Sequence, residues 1–271
     1  MPRLFDIRRL PLALAAALAV PAAGAAPANE APGIALVTTV SGPVRLVDAD
    51  GRSQEPKLHR QLELGGTRIE NDRGAFLCLA LSNGIGLGLG EESSLAVEAF
   101  RQAPFPENKE SLFYEPSTSI LSIGLERGTI SVASDHLSPL SELRIQLPFG
   151  QVRVHSAVCV VALDSSGLHL TVFQGHLTYT YPNGEDREFV SSGQRVRISP
   201  SGAERRRIAE LLPADTAPEA WKTLGEATLL AAKRVLFEAA PEGAPYPAQP
   251  VVIVRPDYYE QATRRPYEYL D

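Results

Sequence analysis

Cysteine, methionine and tryptophan are nearly missing: the 271-residue chain has two, one and one of them. Two cysteines do not build a disulfide-dense scaffold, and Cys78 and Cys159 are not at metal-site spacing. There is no excess of positive charge, with 26 basic against 32 acidic residues and a formal charge of −6. No stripe of lysine and arginine stands out, so a nucleic-acid partner gripped through its phosphates is not expected. No apolar run reaches the roughly 20 residues that cross a bilayer as a helix. The G-x-S-x-G and H-E-x-x-H signatures are both absent. What remains is 44% hydrophobic and 21% charged, ordinary for a globular chain and unlike a disordered, collagenous or coiled-coil one.

The first 25 residues read as an address. Arg3, Arg8 and Arg9 precede an apolar run from Leu10 to Val20, then Pro21 and the small-residue site Ala23-Gly24-Ala25. That is the charged, apolar and A-x-A sequence of a cleavable secretory signal. Cleavage removes three positive charges and one negative, leaving −8 on the mature chain. The expectation is a periplasmic or secreted protein with no membrane span after processing. An oxidising compartment permits a Cys78–Cys159 disulfide, worth about 4–5 kcal/mol by chain entropy. Both cysteines sit inside apolar runs, Phe76–Leu79 and Ala157–Val160, which favours buried free thiols instead.

After a short linker at 26–33, residues 34–200 read as strand after strand. Apolar stretches rich in valine, isoleucine and leucine alternate with turns at Asp50-Gly51, Asn83-Gly84, Ser165-Ser166-Gly167 and Asn183-Gly184. Asn-Gly and Asp-Gly suggest type I′ hairpins and so antiparallel neighbours. Leu168, Leu170 and Val172 share one parity, suggesting one buried face, whereas Ala75–Leu81 is apolar throughout, as in a strand covered on both sides. Arg101–Ser119, with three prolines, reads as a long loop. The fold expected is all-β, twisted antiparallel sheets packed as a sandwich or roll.

Residues 203–240 read as a helical segment. One helix spans Ala203–Leu212 and ends at Pro213. A second is capped by Asp215 or Thr216, with Trp221, Leu224, Thr228, Ala231 and Val235 on one stripe. Residues 241–271 hold many prolines and tyrosines and read as an extended tail, in which Val251–Val254 could add as an edge strand.

The run Gly84-Ile85-Gly86-Leu87-Gly88-Leu89-Gly90 is not a phosphate loop, since no lysine opens a following helix. In a strand its period of two puts Gly86, Gly88 and Gly90 on one face, a bare surface that another backbone layer or a bulky side chain can approach, which points to close packing of sheet layers. Five histidines, His59, His136, His155, His169 and His176, are scattered. Asp135-His136 and His155-Ser156 hold triad-type residues, but neighbours on an extended chain point to opposite faces. Glu91-Glu92 read as turn residues. No catalytic, cofactor or metal site is expected, and no enzyme. Tyr179 and Tyr181 share a strand face and form the one candidate platform for a sugar, with cross-strand packing as the alternative.

The order of motifs resembles the FecR-type extracytoplasmic domain. Val40-Ser41-Gly42-Pro43-Val44 opens it and Gly66–Asn71 takes the second place. Ala75–Leu81, Asn83-Gly84, Ile85–Leu89, Ser94–Val97, Leu125–Ile130 and Pro148–Val154 follow in order. Val172–Leu177 and Ser192–Val196 close it. Ser156-Ala157-Val158-Cys159 stands where the family has Gly-Thr-x-Phe, and Thr67 where it has an acid. Anti-sigma regulators of that family carry a cytoplasmic domain and a membrane helix ahead of this domain; here a cleavable signal is expected instead. The resemblance implies the β fold, an envelope location and a scaffold or interaction role with an envelope protein or polymer. The other class of function open to such a chain is a secreted carbohydrate-binding module or hydrolase accessory.

Overall fold

A computed structural model of the chain describes residues 30–253, except 106–116, 135–136, 199–209, 242, 245 and 247. The signal region, most of the 101–119 loop, His136 and the end of the tail lie outside the described residues.

The described chain is mostly strand. In order these are β1 (Ala31–Pro32), β2 (Ile34–Ser41), β3 (Val44–Val47), β4 (Ser53–Gln54), β5 (Gln61–Glu63), β6 (Thr67–Asn71), β7 (Phe76–Leu81), β8 (Gly86–Leu89) and β9 (Ser94–Gln102). Then come β10 (Ser119–Ser134), β11 (Glu142–Leu147), β12 (Gly150–Asp164), β13 (Gly167–Thr180), β14 (Arg187–Ser191), β15 (Gln194–Ile198) and β16 (Glu210–Pro213). Helix α1 (Glu219–Arg234), β17 (Val235–Ala239) and β18 (Ala248–Ile253) complete it.

Three long strands organise everything else, because each has two sets of neighbours. The first half of β10 lies between β9 and β11, and its second half between β8 and β12. The start of β12 pairs with β11 and the end of β13, while the end of β13 pairs with β14. The far halves of β12 and β13 pair with each other, and β13 there carries β15, which in turn carries β16. Two leaves result. One runs β4-β3-β6-β9-β10-β11-β12-β13-β14, and the other β5-β2-β7-β8-β10-β12-β13-β15-β16. Register breaks mark the corners, at 125/127 in β10 and 154/156 in β12. At the β13 corner Gly175 has φ +75°, and a Cβ there would overlap the Ser156 carbonyl, so only glycine fits. Leu121, Ile123, Ile145 and Val154 of the first leaf join Leu77, Leu87, Val132 and Leu170 of the second in one buried cluster. The all-β sandwich follows from the long apolar strands folding over to bury their inner faces on each other.

The hairpins stand where the turn residues put them, but with another geometry. Only the glycine of Asp50-Gly51, Asn83-Gly84 and Asn183-Gly184 has positive φ. Gly84 N–H reaches the Leu81 carbonyl at 2.9 Å and Leu81 N–H the Ile85 carbonyl at 2.8 Å. This is a type I turn followed by one left-handed residue, not type I′. Asp48 to Arg52 repeats the pattern.

Most of the first expected helix, residues 203–209, lies outside the described residues, and the C-terminal part that is described differs from the sequence reading. There is one α-helix among the described residues. Glu210–Pro213 pairs with β15, because an open strand edge beside it outweighs local helix propensity. Asp215 and Thr216 do not cap α1. Thr216 Oγ1 instead donates to the Pro213 carbonyl at 2.6 Å within a 3₁₀ turn, and the helix starts after Pro218. Val235–Ala239 leaves the helix as a strand and pairs with β18, so the tail segment at Val251 adds to its own chain. Val235 and Phe237 pack on Leu36 and Ala80.

Helix α1 covers the outer face of the second leaf. Gly86 and Gly88 form its floor, where a Cβ would overlap the Thr228 carbonyl or Thr228 Oγ1 respectively. The bare glycine face thus admits a helix backbone, where the sequence suggested a sheet layer. That cover also explains why His169 and Thr171, expected on an open face, are as buried as Leu168 and Leu170.

Candidate functional site

Beneath the first turns of α1, the β12–β13 turn and β15 bring together Asp164, Ser166, His169, Arg195 and Trp221. The His169 ring meets the indole at 5.4 Å and 59°, and the Arg195 guanidinium lies 5.0 Å from the indole centroid. Arg195 Nη2 is 3.3 Å from His169 Nδ1. A guanidinium only donates, so Nδ1 accepts and the ring proton sits on Nε2. Nε2 in turn lies 3.0 Å from Ser166 Oγ, and Ser166 Oγ donates to Asp164 Oδ1 at 2.6 Å. The residue types are those of a hydrolytic triad, but the wiring is reversed. The imidazole donates to the serine it would have to deprotonate, and the aspartate accepts from that serine and lies 3.6 Å from the same Nε2, leaving the far ring nitrogen Nδ1 to Arg195. Burial lowers the His169 pKa, with Arg195 and Arg197 adding to that effect against the pull of Asp164. Burial alone would raise Asp164, but hydrogen bonds from Ser166 and the charge of His169 hold it below its ordinary value. This cluster fastens the hairpin turn to the helix.

Tyr179 and Tyr181 do not form a platform. Both are buried, at 0% and 3% exposure, and their rings meet edge-on at 4.9 Å. Tyr179 donates its hydroxyl to the Phe149 carbonyl, and burial pushes its pKa up to about 12. A sugar would find no free ring face there.

Cys78 and Cys159 are free and buried. The ladder runs Cys78–Gly88–Ser131–Val160, so three strand spacings, about 14 Å, separate their strands. Cys159 also belongs to the row of Val132, Leu87 and Leu79, which faces the other side of the leaf. A disulfide needs Cα atoms within about 7 Å, which this register forbids. Burial raises both thiols to about 12.

The remaining histidines fall elsewhere. His155 and His176 stack at 5.2 Å at the β12–β13 corner, where His155 Nε2 is 3.1 Å from Thr178 Oγ1. His59 lies in a turn with φ 60°. Glu91 is a turn residue that accepts the Gly74 N–H at 2.9 Å. No group of three or more metal-type side chains occurs among the described residues. A shallow groove of about 370 Å³ runs beside α1 between Phe76, Glu91, Trp221 and Leu224.

A further exposed feature is the outer face of the first leaf where it ends on β14. One cross-strand row reads Ser122, Arg144, Arg153, Thr178, Phe189. Phe189 is 71% exposed. Arg144 pairs with Glu142, while Arg153 and Arg187 make no ion pair among the described residues. The opposite end of the same face is charge-compensated, through Arg45 with Glu70 and Asp72 and through Arg68 with Glu126. Sequence reasoning missed this place. Its signal was the segment Arg187-Glu188-Phe189-Val190-Ser191, which puts an aromatic at the parity opposite buried Val190.

No family model and no curated protein matches the chain. Among solved structures, it is similar to two candidate anti-sigma factors from Parabacteroides distasonis ATCC 8503. One is 15% identical over 64% of this chain and 68% of that one, the other 12% identical over 73% and 90%, each with a TM-score of 0.39.

Proposed function

We propose that the chain is an exported, non-catalytic module of the cell envelope that holds other proteins through its open strand edges. The observation that carries this reading is the end of the first leaf, where β14 pairs on one side only among the described residues and presents an exposed phenylalanine. Open edges attract further strands, and proteins that do not use them usually blunt them. The order of motifs resembling the FecR-type domain supports the same reading, as does the reversed wiring of Asp164, Ser166 and His169. Burial of Tyr179 and Tyr181 removes the feature on which the carbohydrate-binding alternative stood.

The test is cell fractionation of the full-length chain, followed by photo-crosslinking from Phe189, Leu140 and Leu236, all exposed. The reading expects a processed protein outside the cytoplasm and discrete protein adducts. Retention in the cytoplasm would overturn it. So would hydrolysis of ester or glycoside substrates that is lost in Ser166→Ala.

A further inference from the structure

Resting on the interaction-module reading, we infer that the free edge of β14 receives an extended acidic segment of a partner protein, which adds as one more strand to the first leaf. Three features meet at this edge. The first is backbone polarity. Tyr181 N–H reaches the Asp186 carbonyl at 3.0 Å, which makes 181 and 186 a hydrogen-bonded pair. Pairing alternates along an antiparallel ladder, so Glu188 and Val190 turn their backbone groups toward β13. Arg187 and Phe189 then turn theirs outward. Ser191 also turns outward, but its N–H is already taken by Gln194 Oε1 at 2.8 Å. Four backbone groups, the N–H and C=O of Arg187 and Phe189, are thus left for an incoming strand.

The second feature is the apolar anchor. Phe189 stands on the outer face beside the free edge, where a side chain of the added strand would cover it. Aromatic residues in that position carry a large share of binding energy. The third is charge. Arg187, Arg153 and Arg144 approach the edge on that face, with His155 and His176 behind them and Glu142 as the acid beside them, while Asp186 and Glu188 stand at the opposite parity and Glu185 in the turn. The whole chain is acidic, so a basic end of one face is a local departure from its own composition. A second copy of the chain docked edge to edge would bring basic row against basic row. A segment carrying aspartate or glutamate at alternate positions would instead put carboxylates beside the arginines while its backbone pairs with β14.

Binding is measured by fluorescence anisotropy on the mature full chain. The probes are a labelled peptide of alternating glutamate and valine, its lysine–valine counterpart, and polygalacturonate as an anion without a peptide backbone. The expected result is binding of the glutamate peptide alone, weakened by salt. It should weaken about tenfold or more in the double variant Arg153→Glu, Arg187→Glu. Phe189→Pro and Arg187→Pro each remove an outward N–H that β13 does not use, and Arg187 is the first residue of its strand, where proline is tolerated. Both should weaken binding comparably, with circular dichroism confirming the fold.

Binding untouched by either proline variant would overturn the strand-addition proposal. Equal binding of polygalacturonate, or a concentration-dependent dimer lost in Arg187→Pro, would replace the occupant with a polymer or a second copy. Should discrete envelope-protein adducts form from Leu140 or Leu236 while peptide binding survives both proline variants, the edge assignment fails and the module reading stands.

Discussion

A methyl group added to Gly86 would overlap the carbonyl oxygen of Thr228. That single relationship fixes the height of α1 above the second leaf. A carbonyl in a helix cannot turn aside, whereas the Thr228 hydroxyl above Gly88 belongs to a side chain. Gly86→Ala should therefore destabilise by about 1–3 kcal/mol or more, and by more than Gly88→Ala. Urea denaturation measures both. Thr228→Ala should offset part of the Gly88→Ala loss and little of the Gly86→Ala loss, a non-additivity confined to the first pair.

Much of this was legible in the sequence, and the failures share a cause. Turn residues and alternation located the strands from Val44 to Ile198, and the glycine run announced a close approach. The periodicity could not say what approached, because a helix distant in sequence supplies Thr228. The same cover buried His169, whose alternation with Leu168 and Leu170 had suggested an open side. Leu211 and Leu212 carried a helical pattern, yet the edge of β15 drew them into a strand. The edge of β14 was invisible because nothing local distinguishes a terminal strand from an inner one; that depends on which strands the leaf lacks beyond it.

The thiols give a second test. With Cys78 and Cys159 on different strands and faces, mass should be identical with and without reductant. Neither cysteine should react with a thiol reagent at pH 8 in the folded protein, and both should react in denaturant. Burial and thiols raised to about 12 both protect them.

Trp221, the one tryptophan of the chain, lies against His169 and so reports its protonation. Because the folded His169 pKa is lowered, the unfolded chain takes up that proton first as pH falls. Its contribution is fully present above the ordinary value of about 6.5 and is lost as pH drops toward the folded pKa. Asp164, also lowered, loses its contribution on further acidification through its own folded pKa. Tryptophan fluorescence should thus change with a midpoint below the ordinary imidazole value, and this transition should vanish in His169→Gln.

Removing the Tyr179 hydroxyl separates packing from hydrogen bonding. Tyr179→Phe should cost about 1–2 kcal/mol, the loss of one buried bond to the Phe149 carbonyl. Tyr179→Ala should cost about 3–5 kcal/mol in thermal or urea unfolding. Glycan binding should be absent from the parent protein and both variants.

Amide hydrogen exchange along β14 addresses the free edge itself. In the isolated protein, Arg187 and Phe189 should exchange rapidly while Glu188 and Val190 are protected. On adding the glutamate–valine peptide, Phe189 should become protected too. Slow exchange at Phe189 in the free monomer, or no change there when the peptide binds, would contradict an edge left open to receive a strand.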